Sequence, residues 1–219
     1  MQTQSDLLRK RHTRDGGGKN ISSKKSKKQE HRVTSSTKAI LETLQAEYPT
    51  LDFYFEKAIM LSNFRKNIEN EKSYISPDGG FIFVKLEDDK KICVFSSESK
   101  HQGTNDKRIA EGLKPQAKGN AIERAHKNFN EIDLLLESQK TFPFLVCCSG
   151  YDFHDGSTIR DRAGAMSRKS PFNTIYVNRD DHGRSRASVM LRQKRWEVDE
   201  IIEMGLRMSR EVIKIELGL

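Results

Sequence analysis

SPDGGFIFVKLEDDKKICVFSSESK, residues 76–100, is the stretch of this 219-residue chain that decides the fold. Residues 81–86 and 91–97 are rich in β-branched and aromatic side chains, and a charged run separates them. This pattern predicts two antiparallel strands joined as a hairpin. The motif PDGG at 77–80 precedes the first strand, and ESK at 98–100 ends the second. Polar groups therefore collect at one end of the predicted hairpin.

Glu98 and Lys100 are expected to share one side of their strand. Successive strand side chains alternate between the two faces of a sheet, so Ser99 points away from them. If the two strands pair as a hairpin, Asp78 at the start of the first lies beside Glu98 at the end of the second. The pairing predicts a cluster of two carboxylates and one ammonium.

Two carboxylates and a lysine suit the hydrolysis of a phosphodiester. Asp78 and Glu98 are oxygen ligands of the kind that Mg²⁺ prefers, and the carbonyl of Ser99 can add a third. Lys100 can hold or help to deprotonate the attacking water, or stabilise the charge of the transition state. The same motifs also have an ordinary explanation, because Pro-Asp-Gly-Gly is a good turn sequence and Glu-x-Lys occurs by chance on solvated strand edges. The motifs alone leave both explanations open.

The rest of the chain alternates between helical and extended patterns. Apolar residues recur at helical spacing in four segments, 38–48, 55–68, 120–139 and 194–216, which predicts helices there. Residues 142–148 and 174–177 are predicted to be buried strands, and 103–119 a loop. Strands interleaved with helices predict a single α/β domain, in which a central mixed β-sheet of about five strands has helices on both faces.

Positive charge is concentrated at the N-terminus. The formal net charge is +8, and residues 1–34 contribute +7 of it, from ten Lys or Arg and three Asp or Glu. Residues 1–37 lack apolar periodicity, so we expect a flexible, disordered basic arm there, with the folded domain at 38–219. Such an arm attracts any polyanion, and its charge alone identifies no partner.

Cysteine, histidine and apolar residues exclude several classes of protein. No apolar run is long enough for a membrane span or a signal peptide, which predicts a soluble, cytoplasmic protein without a membrane partner. Cys93, Cys147 and Cys148 lie in apolar runs without zinc-site or disulfide spacing, so we expect reduced core residues. His154 and His182 lack partners at metal-ligand spacing and are interpreted as surface loop residues.

Three motifs, taken together in this order, closely resemble the EcoRI-type restriction endonucleases of the PD-(D/E)xK class. They are SPDGG at 76–80, ESKHQG at 98–103 and GNAIERAHKN at 119–128, and the likeness runs from about Glu47 to around Trp196. The resemblance implies the fold of the PD-(D/E)xK restriction endonucleases. It implies a prokaryotic homodimer that uses Mg²⁺ to cut both strands of a short DNA palindrome and leaves 5′ overhangs. It also implies a DNA methyltransferase acting on the same site as a functional partner, and an N-terminal arm that wraps DNA rather than only keeping the chain in solution.

The resemblance also assigns roles to single residues. Asp78 and Glu98 become the metal-binding carboxylates and Lys100 the catalytic lysine. His101 and Gln102 are expected to lie against the DNA backbone close to the cut. In that family the Gly-Asn-Ala-x-x-Arg stretch reads AATT in the major groove, so the expected base-reading residues are Asn120, Ala121 and Arg124. The further expected backbone contacts are Gly119, Lys127, Arg160 and Arg162.

The chemistry of the third motif agrees with a base-reading role. Asn bonds bidentately to the edge of adenine, Arg donates to purine acceptors, and a small apolar side chain such as that of Ala121 suits a thymine methyl. Without the resemblance, a helix-capping Asn120 and an Arg124 on a solvated helix face explain the same residues.

Departures from the family leave part of the function open. Residues 116–118 differ from the run that helps to read the outer G·C pair in that family, although Lys118 can donate to guanine or hold a phosphate. The predicted site is therefore a palindrome containing AATT, for example GAATTC, with CAATTG or AATT alone as other possibilities. The loop with Arg160 and Arg162 is shorter than in that family, so which arginine contacts DNA is open. A catalytically silent DNA-binding module and a repair or junction nuclease of the same fold are the alternative functions.

Overall fold

A five-stranded mixed β-sheet forms the centre of the molecule. The structure is a computed structural model that describes residues 18–63, 73–87, 90–101, 104–114, 121–153, 159 and 172–219. The strands are β1 (Asp52–Glu56), β2 (Ile59–Met60), β3 (Tyr74–Ile75), β4 (Gly80–Lys85), β5 (Lys91–His101), β6 (Phe144–Ser149) and β7 (Ser188–Arg192). The helices are α1 (Gly18–Glu47), α2 (Thr104–Ala110), α3 (Ala121–Leu135) and α4 (Val198–Leu217). The predicted α/β fold with about five strands is confirmed.

The sheet has the strand order β1-β4-β5-β6-β7, and β2 pairs separately with β3. Strand β4 runs antiparallel to both β1 and β5, whereas β5, β6 and β7 are parallel to one another. The predicted hairpin is β4 and β5, with Gly80 opposite Ser97. Strand β5 is central and extends through the whole ESK motif, so Glu98 and Lys100 lie within the sheet rather than beyond its end.

Each face of the sheet carries its own apolar core. On one face, Phe81, Phe144 and Val146 pack with Ala125 and Phe129 of α3. The other face packs against α1 and α4, and its buried side chains include Ile40, Leu44, Ile82, Phe95, Leu145, Met208 and Val212. Burial of apolar surface on both faces is the main favourable contribution to folding, at roughly 25 cal/mol per Å². Helices therefore cover both faces, as predicted.

Helix α1 begins earlier than the sequence pattern indicated. The expected start was residue 38, but the helix runs from Gly18, and Val33, Ser36 and Thr37 are buried. Ser36 and Thr37 donate their hydroxyl hydrogens to the carbonyls one turn back, at Arg32 and Val33. These bonds satisfy the hydroxyls inside the helix, which is why a Ser/Thr-rich segment can be buried there. Residues 33–37 thus pack with the domain rather than belonging to the arm, and residues 1–17 lie outside the described part.

Two other predicted elements are wrong. The expected helix at 55–68 is instead the end of β1, followed by β2 and a 3-10 turn at Leu61–Asn63, with 64–72 outside the described residues. A short apolar run with three aromatic residues fits a strand as well as a helix. The expected loop at 103–119 contains helix α2, which the buried Asn105 anchors by donating to Asp152 Oδ1 over 2.7 Å.

The fifth strand also lies elsewhere than expected. Residues 174–177 form no strand and are exposed or half-buried, whereas residues 188–192 pair with β6. The Ser188 hydroxyl accepts a hydrogen bond from Tyr176 N (2.7 Å) and donates one to Tyr176 O (3.1 Å). A side chain therefore takes the place of a strand partner for this extended segment. The three cysteines are buried and free, as predicted. None of the helices in the described ranges has the length and apolar character needed to cross a membrane.

Candidate active site

The turn that precedes β4 brings Asp78 to the end of the hairpin. Gly80 N donates to Pro77 O over 3.0 Å, and Gly79 N donates to Ser97 O over 2.9 Å. A Cβ at Gly79 would lie 2.0 Å from Ser97 Oγ, so any other residue there would force the Ser97 side chain to move. Gly80 has a φ of +74°, a left-handed conformation that favours glycine. Both glycines are therefore required by the structure, and together they allow the turn to pack closely against β5.

The three predicted charged residues are in direct contact. Asp78 N donates to Glu98 Oε2 over 2.8 Å, and Ser99 N donates to Asp78 Oδ2 over 3.2 Å. The Lys100 ammonium forms an ion pair with Glu98 Oε1 and lies 3.5 Å from Asp78 Oδ2. The Lys100 ammonium thus contacts both carboxylates. The backbone N–H of Asp78 also binds the Glu98 carboxylate, and the backbone N–H of Ser99 binds the Asp78 carboxylate.

Strand register places Glu98 and Lys100 on the α3 side of the sheet. They lie opposite Val146 and Cys148 of β6, which belong to the core beneath α3. Ser97 lies opposite Leu145, on the side of α1 and α4. The alternation expected from the sequence therefore holds through the ESK motif, with Ser99 on the other face.

Burial gives the cluster unusual electrostatics. The Glu98 side chain is only 1% exposed, against 18% for Lys100 and 20% for Asp78. Burial and the nearby charge of Asp78 raise the pKa of Glu98 above its ordinary value, although Lys100 opposes the rise. Burial acts to lower the pKa of Lys100, but Glu98 and Asp78 outweigh it and raise that pKa, so the lysine is a cation. A net negative pocket with one resident cation results.

This set of donors fits a hard divalent cation such as Mg²⁺. The fit rests on two neighbouring carboxylates, because Mg²⁺ binds through oxygen and is commonly held by one or two carboxylates plus water and phosphate. Within the described ranges no group of three or more His, Cys, Asp or Glu side chains forms a metal cage. Backbone oxygens, water and substrate would therefore complete the coordination.

The carbonyl of Asp78 is held from the opposite face of the sheet. Thr34 of α1 donates its hydroxyl hydrogen to Asp78 O over 3.1 Å. The Lys57 ammonium donates to the same oxygen over 2.5 Å and to Thr34 Oγ1 over 3.3 Å. Neither residue is predictable from the sequence, because Thr34 lies in a segment interpreted as an arm and no local motif marks Lys57.

His101 continues β5 beyond Lys100 and contacts two further polar residues. Its Nδ1 lies 3.1 Å from Ser149 Oγ at the end of β6, and its Nε2 lies 3.4 Å from Arg195 Nη2. Neither Ser149 nor Arg195 was singled out from the sequence. Both residues contact His101 only because the end of β5 lies close to the end of β6 and to the segment before α4.

The predicted DNA-reading residues are described only in part. Helix α3 begins at Ala121, close to the expected start at 120, and Lys127 is exposed on it, 3.4 Å from Glu131. Ala121 and Arg124 lie in this helix, but their side chains are outside the description. The remaining predicted contacts fall outside the described residues: Gln102, Lys118, Gly119, Asn120, Arg160 and Arg162. The role of each of these residues stays a prediction. Of the two loop histidines, His182 is exposed, as expected, and His154 lies outside the described residues.

A mixed sheet that joins two carboxylates and a lysine at neighbouring strand ends points to the restriction endonuclease class. The chain belongs to the EcoRI restriction endonuclease family, because the protein-family model described as "Restriction endonuclease EcoRI" matches residues 15–160. The chain is 28% identical over 197 residues to the type II restriction enzyme EcoRI of Escherichia coli, covering 81% of this chain and 71% of that enzyme. It is 25% identical, over an alignment 246 residues long, to the type II restriction enzyme RsrI of Cereibacter sphaeroides, and the match covers 91% of this chain and 89% of that enzyme. The family match includes Asp78, Glu98 and Lys100.

Proposed function

We propose that this type II restriction endonuclease makes Mg²⁺-dependent double-strand cuts at a short DNA palindrome containing AATT and leaves 5′ overhangs. The observation that carries the proposal is the contact of one buried-strand lysine with both carboxylates in a member of the EcoRI family. Type II restriction enzymes bind double-stranded DNA and generally use a divalent metal ion. Asp78 and Glu98, with the Ser99 carbonyl, would hold the metal.

The metal would offset charge on the scissile phosphate and activate water. Lys100 places a positive charge beside the two carboxylates, where it can hold the attacking water by hydrogen bonds and stabilise the pentacoordinate, more negative transition state. Burial of Glu98 keeps bulk water away from its carboxylate, which strengthens the electrostatic interaction between Glu98 and Lys100. His101 and Gln102 are proposed to contact the DNA backbone near the cut, and Gly119, Lys127, Arg160 and Arg162 are proposed as further backbone contacts.

Base reading is proposed for Asn120, Ala121, Arg124 and Lys118. The location of α3 supports this, because the helix begins in the chain segment after β5 and packs on the same face of the sheet as Glu98 and Lys100. A palindrome calls for a two-fold symmetric protein, so we propose a homodimer. A monomer by light scattering in the presence of target DNA would contradict this assembly. The proposed functional partner is a DNA methyltransferase that protects the same site.

End sequencing of digested DNA tests the cleavage proposal directly. Plasmid of known sequence is incubated with the full chain and Mg²⁺, and both ends of each fragment are read. Discrete fragments with AATT at the cut and 5′ overhangs are expected. Discrete fragments with another sequence would refute the proposed site but keep the activity. Binding without any fragments would instead support the silent DNA-binding module, and cutting only at branched or damaged DNA would support a repair nuclease.

A further inference from the structure

His101 and Arg195 form a basic pair at the end of the sheet, next to the proposed cleavage centre. Arg195 is exposed and donates from Nη2 to His101 Nε2 over 3.4 Å. Because Nε2 accepts, Nδ1 carries the ring hydrogen and donates to Ser149 Oγ over 3.1 Å. The imidazole is thereby fixed at both nitrogens and holds the guanidinium at the open edge of the site.

Arg192 clamps the segment that carries Arg195. Its guanidinium forms an ion pair with Glu200, donates to Lys194 O over 3.0 Å and to Arg195 O over 2.6 Å, and lies 3.7 Å above the ring of Trp196. Trp196 Nε1 in turn donates to Cys148 O over 2.9 Å, at the end of β6. The backbone around Arg195 is therefore tied to the strand next to Lys100, although Arg195 itself is exposed.

The charge of Arg195 is not matched by any acidic side chain of the described part of the chain. Arg192 takes Glu200 as its partner, while the contact of Arg195 is an imidazole. Five N–H donors in a rigid fork suit phosphate oxygens, and most of those of Arg195 remain available beside His101. Since Lys100 and His101 are consecutive on β5, their side chains leave on opposite faces, so the pair addresses a different phosphate from Lys100.

We propose that Arg195 and His101 form a second phosphate-binding position, which holds a DNA backbone phosphate adjacent to the one that is cut. The position of the cut at Lys100 rests on the function proposed above. Arg195 donates the hydrogen bonds to the phosphate, while His101 lies against the backbone beside it and, together with Ser149, orients the guanidinium. The C-terminal segment before α4 thereby becomes part of the DNA interface.

The first test is the salt dependence of DNA binding by Arg195→Gln, with Arg195→Lys as the conservative variant. The probe is a duplex with one central GAATTC, or the sequence found by end sequencing where that differs, and binding is measured without divalent metal. Loss of one phosphate contact should weaken binding by about tenfold and make the slope of log K against log salt shallower by about 0.9. Arg195→Lys should restore the slope. Lys140→Gln is the matched control, because Lys140 is exposed and precedes β6 at the opposite end of the strand; its slope should equal that of the wild type.

The second test locates the phosphate. Each phosphate of the probe's recognition sequence is replaced in turn by an uncharged methylphosphonate, and binding is measured for the wild type and for Arg195→Gln. One position should weaken the wild type yet add nothing in the variant, while the other positions act additively. Additive effects at every position, or an unchanged salt slope, would overturn the proposal. Circular dichroism melting checks folding, and if Arg195→Gln is unstable the cycle is repeated with Arg195→Lys, for which a partial coupling at the same position is expected.

These tests separate the inference from the proposed function. Binding without metal does not require cleavage, so an inactive protein that shows the coupling retains the phosphate site and loses only the cleavage proposal. A protein that cuts at AATT but shows no coupling retains the cleavage proposal and loses the Arg195 site.

Discussion

The two faces of strand β5 differ in what they contribute to the site. On the α3 face, Glu98 and Lys100 bring opposite charges into contact within the sheet. On the α1 and α4 face, Ser97 lies beneath Gly79 and close to α1, where neutral groups pack tightly. One strand thus carries the proposed catalytic groups on one side and the groups that support them on the other.

The support reaches Asp78 through its backbone rather than its carboxylate. Thr34 and Lys57 bond to Asp78 O, which leaves the carboxylate for Ser99 and Lys100. Changes on the two faces should therefore have distinct consequences. Removing charge on the α3 face should abolish the reaction, whereas loosening the other face should lower stability or rate by a limited amount.

Removal of charge from the α3 face is expected to have the largest effect. Asp78→Asn or Lys100→Ala should lower single-turnover cleavage by about a thousandfold or more, because transition-state charge loses its stabilisation. Filter binding or fluorescence anisotropy should still detect a specific DNA complex. Lys91→Ala on the far end of β5 is the control and should cut normally. Undiminished cutting by Asp78→Asn or Lys100→Ala would refute the assignment.

A single added methyl group should disrupt the tight packing on the α1 and α4 face of β5. Gly79→Ala should lower the free energy of unfolding by about 1–3 kcal/mol, the usual cost of overpacking, because the new Cβ meets Ser97 Oγ at 2.0 Å. Urea denaturation of the Gly79→Ala, Ser97→Ala double variant should recover part of this loss. Gly112→Ala is a useful comparison, since φ there is +70° but no atom lies within 4 Å of the new Cβ. A Gly79→Ala protein as stable as the wild type would contradict the close packing.

A smaller effect is expected when the hold on the Asp78 carbonyl is loosened. Thr34→Val removes one hydrogen bond with little change in shape, and a typical hydrogen bond contributes about 0.5–1.5 kcal/mol. The cleavage rate should fall by up to about tenfold, with weaker Mn²⁺ binding seen by electron paramagnetic resonance and unchanged DNA affinity. Thr34→Ser keeps the hydroxyl and should restore both quantities. Lys57→Met should act in the same direction, and failure of Thr34→Ser to rescue would assign the effect to packing.

The half-buried ion pair of Arg192 and Glu200 should show the smallest effect. Hydrogen bonds from Arg192 and from Glu197 N lower the pKa of Glu200 from 4.5 to about 2. The charged form therefore stabilises the folded state above pH 4.5, and this contribution is lost as the pH falls towards 2. The difference in unfolding free energy between the wild type and Glu200→Gln should be greatest near neutral pH and shrink over that range. A constant difference for Glu200→Gln over that range would contradict the linkage.

Much of the site was predictable because its residues are close in the chain. Hairpin pairing fixes the neighbours of Gly80 and Ser97, and strand alternation fixes the shared face of Glu98 and Lys100. The contact of Asp78 with Glu98 follows from those two rules. The apolar stripe of α3 likewise placed Ala125, Phe129 and Ile132 in the core.

Errors occurred where local patterns are ambiguous. A short apolar and aromatic run at 53–60 suits either strand or helix until a partner strand is known, and β4 supplies that partner. Ser36 and Thr37 suggest a disordered arm unless their hydroxyls bond within a buried helix. In residues 174–177, the deciding group was the Ser188 hydroxyl, twelve residues from its partner Tyr176.

By itself, the sequence determined the α/β class, the hairpin and the cluster of Asp78, Glu98 and Lys100, because periodicity and turn chemistry act over short distances along the chain. Only the tertiary structure decided that Thr34 and Lys57 hold the Asp78 carbonyl and that Arg195 meets His101. These contacts join residues 21 to 94 positions apart. Packing of whole helices and strands sets such distances, and no local pattern encodes them.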